Sequence, residues 1–402
     1  MKDAERVLIA GAGPVGMACA GLLHRAGIPV TVLEMEAEPP LDLRAGSFHP
    51  PSLEVLAPTG LTDRLLEMGI RVPVWQYRDL HEGVIAEFDL SVLKDDTPYP
   101  WRLHCEQHKL TRVACEMFGA RDGIDLLFSH KLVAIEQDAD SVTATAETPD
   151  GPRRISGRWL IGADGGRSTV RSLLQFAFPG FTWPELFVVV STTYDFGQHG
   201  FAPNAYIADP VDWSAVFQMP HVGGTPLWRF AYGDDPEKPD AAVLGDAVIE
   251  ERMQRFLARR EPYRIDHRST YRVHQRVCDT FRKGRVLLAG DAAHINNPLG
   301  GLGMNSGIQD AGNLCDKLAR VWRGEADETL LDRYVRQRRT AAADFVQEMS
   351  IRNKQRLQES DPAQRRRARD EMRRIADDPK RRYQYLLRTS MIESVRKAEA
   401  IG

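Results

Sequence analysis

Residues 5–34 constrain the fold more than any other stretch. The run ERVLIA (residues 5–10) is short, apolar and bounded by glycine, the pattern of a strand buried on both faces. Gly11-Ala12-Gly13-Pro14-Val15-Gly16 follows at once with GxGxxG spacing. A helical pattern then runs to Ala26, and a second apolar run spans residues 29–34. Together they predict a βαβ unit. The first glycine allows the tight turn, the second lets a pyrophosphate approach the backbone, and the third lets helix and strand pack closely. Glu34 ends the second strand, 18 residues after Gly16, where an acid holds a pair of ribose hydroxyls. With all these parts in register the unit predicts an ADP-containing dinucleotide, and it does not separate FAD from NAD.

A second glycine-rich connection lies in residues 285–318, RVLLAGDAAHINNPLGGLGMNSGIQDAGNLCDKL. Residues 286–289 predict a short strand, Gly290-Asp291 a turn, and the pattern from about Met304 a helix. Gly300, Gly301 and Gly303 leave room for a flat ligand to lie against bare backbone. The amides that open the helix point back at that ligand, and the helix dipole there favours negative charge. Asp291 is placed to accept hydrogen bonds from a polyol. The set suits a flavin, its ribityl chain on the acid and its ring on the glycines. A tight connection explains any one of these glycines as well, but not the run. Residues 159–171 (WLIGADGGRSTVR) repeat the design, delivering Asp164 to a glycine turn before a helix that begins near Ser168. An N-capped helix accounts for Asp164 or Ser168, but not for the Gly-Gly-Arg between them.

At 402 residues the chain is long enough for two domains, each with its own core. A net charge of −3 gives no reason to expect a nucleic-acid partner, and no apolar run approaches membrane-spanning length. The first strand begins almost at the N-terminus, so no signal peptide is expected. Cys19, Cys105, Cys115, Cys278 and Cys315 are scattered and form no CxxC pair. They predict reduced thiols in a cytoplasmic protein, with neither a disulfide framework nor a metal site.

Residues 51–68 read as two helices broken at Pro58-Thr59-Gly60, and 73–103 as antiparallel strands around Gly83 and Pro98-Tyr99-Pro100. An amphipathic helix is expected at 107–118 and two or three strands at 125–146. Eleven aromatic residues then crowd into residues 183–232. Alternation puts Trp228, Phe230 and Tyr232 on one face of a strand, and Arg229 and Ala231 on the other. Sheet core explains any single ring as well as a substrate wall does. Arg229 is either a hint of an anionic or planar ligand or a solvent-facing side chain. A turn at 234–240 leads to a helix, and strands resume over 263–273. The chain is helical after the second glycine-rich connection, with a long helix at 330–349. Arg365-Arg366-Arg367 reads as part of a solvated helix face, and the apolar tail 383–392 as docked on the body.

In order, GAGPVG, GADGGRSTVR and GDAAHINNPLGGLGMNSGIQDAGNL resemble the signatures of the para-hydroxybenzoate hydroxylase-like (class A) flavoprotein monooxygenases, over roughly residues 5–345. The resemblance implies an α/β fold: a Rossmann-like FAD-binding domain of the glutathione-reductase type, a β-sheet substrate domain and C-terminal helices. The expected FAD-binding domain is 1–180, with 73–104 lending strands to the substrate sheet. The substrate domain is 181–284, residues 285–345 complete the FAD-binding domain, and 346–402 form the last helices. By the same resemblance Gly11, Gly13, Pro14, Val15, Gly16 and Glu34 hold the ADP half of FAD, while Arg44, Gln107 and Val133 flank the cofactor. Asp164 and Arg171 belong to a motif associated with both FAD and NAD(P)H. Gly290 and Asp291 serve the ribityl and pyrophosphate region, and Pro298, Gly301, Gly303, Met304 and Asn305 line the isoalloxazine ring.

The activity implied is hydroxylation of a small phenol or aromatic acid. NAD(P)H reduces the flavin, O2 adds at its C4a, and the hydroperoxide transfers a hydroxyl group to the ring. Pro298 and Arg44 would stand nearest that chemistry, and the helix start at Met304-Asn305 would stabilise charge on the reduced ring. A phenol must also lose its proton. Tyr206, Tyr232, His199 and His221 are the candidate relay residues, and none stands out. Other readings are a same-fold enzyme that epoxidises an olefin or oxidises a larger natural product, which would need a larger cavity, and a non-catalytic carrier, which would not need residues 291–305. A plain NAD dehydrogenase leaves the second and third motifs unexplained. The expected partner is a small aromatic substrate, with no nucleic acid and no membrane, and the chain acts as a monomer or homodimer.

Overall fold

The unbroken apolar runs become the centre of a six-stranded sheet. In the computed structural model, which describes residues 5–39, 41, 45–220 and 227–402, its order is Arg282–Lys283, Val286–Leu288, Trp159–Gly162, Val7–Ala10, Val30–Leu33 and Ile124–Leu127. Every neighbouring pair is parallel except the first. The three inner strands from residues 7, 30 and 159 are buried along their whole length, which is why they do not alternate in sequence. Helices Pro14–Arg25 and Gly303–Trp322 pack together and share this core. A three-stranded sheet, Lys131–Gln137, Val142–Thr148 and Gly151–Gly157, joins it through Leu132, Val142 and Ala144.

An eight-stranded sheet forms the second layer. Its order is His294–Ile295, Ile265–Val277, Gly180–Thr192, Leu227–Asp234, Ser214–Met219, Asn204–Ala208, Val74–Asp79 and Gly83–Asp89. Only Asn204–Ala208 and Val74–Asp79 run parallel. Its two faces bury different partners. Val188, Ile207, Trp228, Phe230 and Tyr232 pack on helix Asp246–Phe256 through Ile249 and Met253, whereas Trp75, Tyr77, Phe187 and Tyr206 face the C-terminal helices. The set Trp228, Phe230 and Tyr232 is therefore core. Arg229, on the opposite face, is 4% exposed, so the solvent-facing reading of it is wrong.

The C-terminal helices close over that second face. Leu330–Thr340, a π-helical turn Ala341–Gln347 and Glu348–Gln358 run end to end, so the helix expected at 330–349 is widened in its middle and longer than its pattern suggested. Pro362–Asp377 and Pro379–Thr389 each begin with proline behind an aspartate cap, Asp361 or Asp378, whose carboxylate accepts backbone N–H groups of the first turn. Leu357, Met372, Leu386 and Ile392 seat these helices on the sheet. The basic helix is only partly solvated. Arg365 and Arg369 reach Asp79 at 3.2 and 3.0 Å, while Arg366 and Arg367 stay exposed. Among the described residues no helix is long and apolar enough to cross a membrane.

Candidate functional site

The three glycine motifs lie together at the carboxyl ends of three adjacent inner strands of the six-stranded sheet. Gly11 has φ +99°, and a Cβ there would lie 2.6 Å from the Ala163 carbonyl; at Gly16 it would lie 1.9 Å from the Gly11 carbonyl. Those two glycines are demanded by packing. Gly13 is different, because nothing lies within 4 Å of its added Cβ, and the helix it opens has no side-chain cap. Its first amides therefore face open space, an anion site in the making. Pro14 and Val15 begin that helix, and Val15 fills the space a side chain on Gly290 or Gly307 would need. Glu34 accepts N–H bonds from Ala12 at 2.8 Å and Glu36 at 3.0 Å, and each oxygen keeps a further lone pair for a ligand.

The second motif is bound to the third. Asp164 accepts from Ser168 Oγ at 2.5 Å and Val170 N at 3.0 Å, yet burial holds its pKa above the ordinary carboxylate value. Arg171 donates to the carbonyls of Gly166 at 2.6 Å and Ala292 at 3.1 Å and stacks on Phe178, so its visible work is to join the two turns. Asp291, half-buried, lies in the 3-10 turn Gly290–Ala292. The turn is fixed from behind by a network the sequence reading did not find. Asp310, fully buried, accepts from Gly290 N at 3.0 Å, His294 Nε2 at 2.8 Å and Arg338 Nε at 2.6 Å. Arg338 also donates to Ser306.

Beyond the turn, Gly300 and Gly301 take positive φ (+106° and +69°), and the Pro298 carbonyl accepts the Gly301 N–H at 2.9 Å. Gly303 and half-buried Met304 begin the long helix, which has no side-chain cap. Asn305 is buried and its amide is fully engaged: Oδ1 accepts from His49 N, and Nδ2 donates to the Ser47 and Gly301 carbonyls. It shapes the loop through the protein, leaving the backbone to meet a ligand. Two buried oxygens beside the loop have no partner, Ser47 Oγ and Asn296 Oδ1. They lie 3.9 and 3.4 Å from the positions a Cβ would take on Gly301 and Gly303. Gln107 opens the helix Gln107–Phe118 and donates its N–H to the Ala45 carbonyl. Val133 is half-buried on Lys131–Gln137. Arg44 and His221 lie outside the described residues.

A narrow, partly open cleft adjoins this loop. Gly300 and Leu302 form one wall, Trp75, Tyr77, Arg102 and Tyr206 a second, and Met349, Asn353, Arg356, Leu357, Tyr385 and Thr389 of the C-terminal helices a third. Tyr206 is thus a lining residue, set edge-on to Trp75 with ring centres 5.9 Å apart. Tyr232 is not. It sits on the other face of the sheet, 0% exposed, with Arg252 over its ring, and burial pushes its phenol up to about 12. A proton relay through Tyr232 therefore has no route to this cavity. His199 pairs with Tyr194, and neither is among the lining residues. Arg102, Arg356 and Tyr385 were not singled out in the sequence.

Comparison with known proteins bears on this geometry. The family model described as an FAD binding domain matches residues 4–349. Para-nitrophenol 4-monooxygenase of Pseudomonas sp. (strain WBC-3) is 38% identical over 368 residues, 91% of this chain and 90% of that protein. The 6-hydroxy-3-succinoylpyridine 3-monooxygenase of Pseudomonas putida (strain DSM 28022 / S16) is 34% identical over 365 residues, 90% of this chain and 92% of its own. Among solved structures, p-nitrophenol 4-monooxygenase of Pseudomonas putida DLL-E4 superposes with a TM-score of 0.92 at 36% identity, covering 98% of both chains.

Proposed function

The chain belongs to the para-hydroxybenzoate hydroxylase-like, FAD-binding monooxygenases, and from that premise we propose that it hydroxylates a small single-ring phenol or aromatic acid with NAD(P)H and O2. The observation that carries the reading is the cavity itself, an aromatic chamber whose one bare wall is Gly300 of the loop proposed to hold the flavin ring. Bound FAD would supply the redox chemistry, taking a hydride from the nicotinamide and delivering one atom of O2 to the substrate ring.

The protein's own groups divide the remaining work. Gly13 and the uncapped amides of Pro14–Arg25 would receive the pyrophosphate, and Glu34 the adenosine ribose. Asp291 would hold the ribityl hydroxyls. The uncapped start of Gly303–Trp322 would favour negative charge on the ring, and Ser47 Oγ and Asn296 Oδ1 are unpaired polar atoms available at its edge. Trp75, Tyr206 and Tyr385 exclude water and hold the substrate plane. Aromatic side chains from two of the three walls suit a planar ring, and the para-nitrophenol relative matches the chain nearly end to end.

Anaerobic reduction of the purified flavoprotein by NADH and by NADPH, with and without single-ring phenols and aromatic acids, tests the reading. One ring compound should sharply accelerate flavin bleaching and, with 18O2, yield a product carrying one labelled oxygen. Uniformly slow reduction across the panel with no label in any product would refute it.

A further inference from the structure

We propose that Arg102 receives the anionic end of the substrate, so that the chain selects single-ring aromatics bearing a negatively charged oxygen, phenolate or carboxylate, over neutral rings of the same shape. The inference rests on reading the cavity as the substrate site and goes further by naming the charge that the site requires.

Arg102 opens the strand Arg102–His104, held between Ser47–Phe48 and Ile70–Val72. It lines the cavity, is 3% exposed, and its guanidinium lies over the Trp75 ring at 5.6 Å. Its Nε is sealed from solvent with no hydrogen-bond partner, and among the described residues no carboxylate forms an ion pair with it. Other buried arginines are compensated: Arg338 by Asp310, Arg252 by Asp212, Arg285 by Glu328. A buried guanidinium satisfied only by an aromatic face is costly, and the fold tolerates it where a ligand completes it.

The surroundings repeat the sign. Arg356, the other cation in the lining, donates to Tyr385 Oη at 3.1 Å, and among the described residues no Asp or Glu lines the cavity. Behind Arg102, burial and the Arg102 charge hold His49 far below its ordinary pKa and His104 down to about 4, with Arg229 acting on His104 in the same sense. Both imidazoles are disfavoured as cations, and their hydrogen bonds go to the Gly300 and Gln218 carbonyls. Among the described residues no acid is paired with Arg102. A planar fork of N–H groups beside an indole suits a planar oxygen anion conjugated to a ring.

The test uses the FAD-loaded protein and three ligands: 4-nitrophenolate, 4-methoxybenzoate and the neutral 4-nitroanisole, with Kd read from the perturbation of the flavin band. Wild type should bind at least one anion about tenfold or more tighter than the anisole, as one charge-assisted contact provides. Arg102→Gln should lose that preference, its anion Kd rising about tenfold or more while the anisole Kd moves less than about twofold, and Arg102→Lys should recover part of it. The anion that suffers the loss identifies phenolate or carboxylate as the recognised group. Equal weakening of anion and anisole, or unchanged anion binding in a variant of normal FAD content and melting temperature, overturns the proposal alone. A wild-type protein that binds none of the ligands, and whose flavin reduction responds to no ring compound, overturns the hydroxylase reading as well.

Discussion

Replacing Asp310 with asparagine should cost more than any other isosteric change in the FAD-binding half. The carboxylate is fully buried and holds three donors: Gly290 N, His294 Nε2 and Arg338 Nε. Burial alone would raise its pKa, but the His294 and Arg338 charges outweigh that and the net direction is down. In Asp310→Asn the shape survives and the charge does not, leaving Arg338, 2% exposed, as an uncompensated buried cation. Breaking a buried pair in this way costs about 3–5 kcal/mol, and the amide oxygen that still accepts a bond puts the loss near ~3. With an unfolding entropy of about 2.1 cal/mol/K per residue, a chain of 402 residues should lose roughly 3–4 °C of melting temperature. Release of Gly290 should also loosen the turn that carries Asp291 and weaken FAD retention. The pH dependence has a definite sign. Because the folded pKa lies below the unfolded value near ~3.9, the contribution is complete above that value and is lost as pH falls through the folded one. The gap between wild type and Asp310→Asn in urea unfolding should therefore be full at neutral pH and shrink below about pH 4. Asp310→Asn combined with Arg338→Met should be more stable than the sum of the single changes by about 1 kcal/mol or more. A single variant within ~0.5 kcal/mol of wild type, or an additive cycle, would refute the network's assigned role.

Three further outcomes follow from the same geometry. Gly13→Ala should leave apoprotein stability unchanged, since its Cβ meets nothing, and raise the FAD Kd about tenfold or more; Gly16→Ala, with a Cβ 1.9 Å from a carbonyl, should destabilise the apoprotein itself, as paired denaturation and FAD titrations will show. Tyr232→Phe removes a buried hydroxyl that has no partner, so kcat should stay within about twofold and stability should not fall, whereas Tyr206→Phe should alter KM or kcat for a phenol. Asp79→Asn strips Arg365 and Arg369 of a carboxylate that is 2% exposed, so limited proteolysis should cut faster around residues 359–361 and KM should rise as the helical wall loosens.

The legible parts of the fold were those whose physics is local. Strands buried on both faces must be apolar throughout, so Val7–Ala10, Val30–Leu33 and Trp159–Gly162 stood out, and glycines forced by a 1.9 or 2.6 Å approach stood out beside them. Tyr206 and Tyr232 could not be told apart because the answer lies in strand register. Tyr206 pairs with Ala215 and Tyr232 with Ser214, neighbours whose side chains point to opposite faces, so one tyrosine meets the cavity and the other a helix. Asp310 and Arg338 each look like ordinary polar positions of a helix until the two helices are packed together. Arg102 carried a faint local sign, a charge inside a strand with no exposed residue, but its unpaired state emerges only when every neighbour is known.

What joins the two layers also explains why the cavity was invisible in the sequence. Gln275, 3% exposed, stands in the long strand Ile265–Val277 of the eight-stranded sheet. Its Oε1 accepts from Asn297 N in the glycine-rich loop at 3.1 Å and from Trp183 Nε1 at 3.0 Å, while its Nε2 donates to Ser350 Oγ of the helix Glu348–Gln358 at 2.8 Å. Gln347 of the π-helical turn donates to the Ile295 carbonyl at 3.0 Å, and Asn353 to the Leu299 carbonyl at 3.2 Å. Both contacts tie the wall helices to the loop under the proposed flavin ring. The π-helical turn ends at Gln347, so the first of these contacts comes from the widened turn itself. Loop, sheet and wall thus hold one another through neutral hydrogen bonds in a buried setting, where leaving one donor unpaired costs about 1–3 kcal/mol. The Asn353 bond to Leu299 thus links a residue of the cavity lining to the loop that carries Gly300.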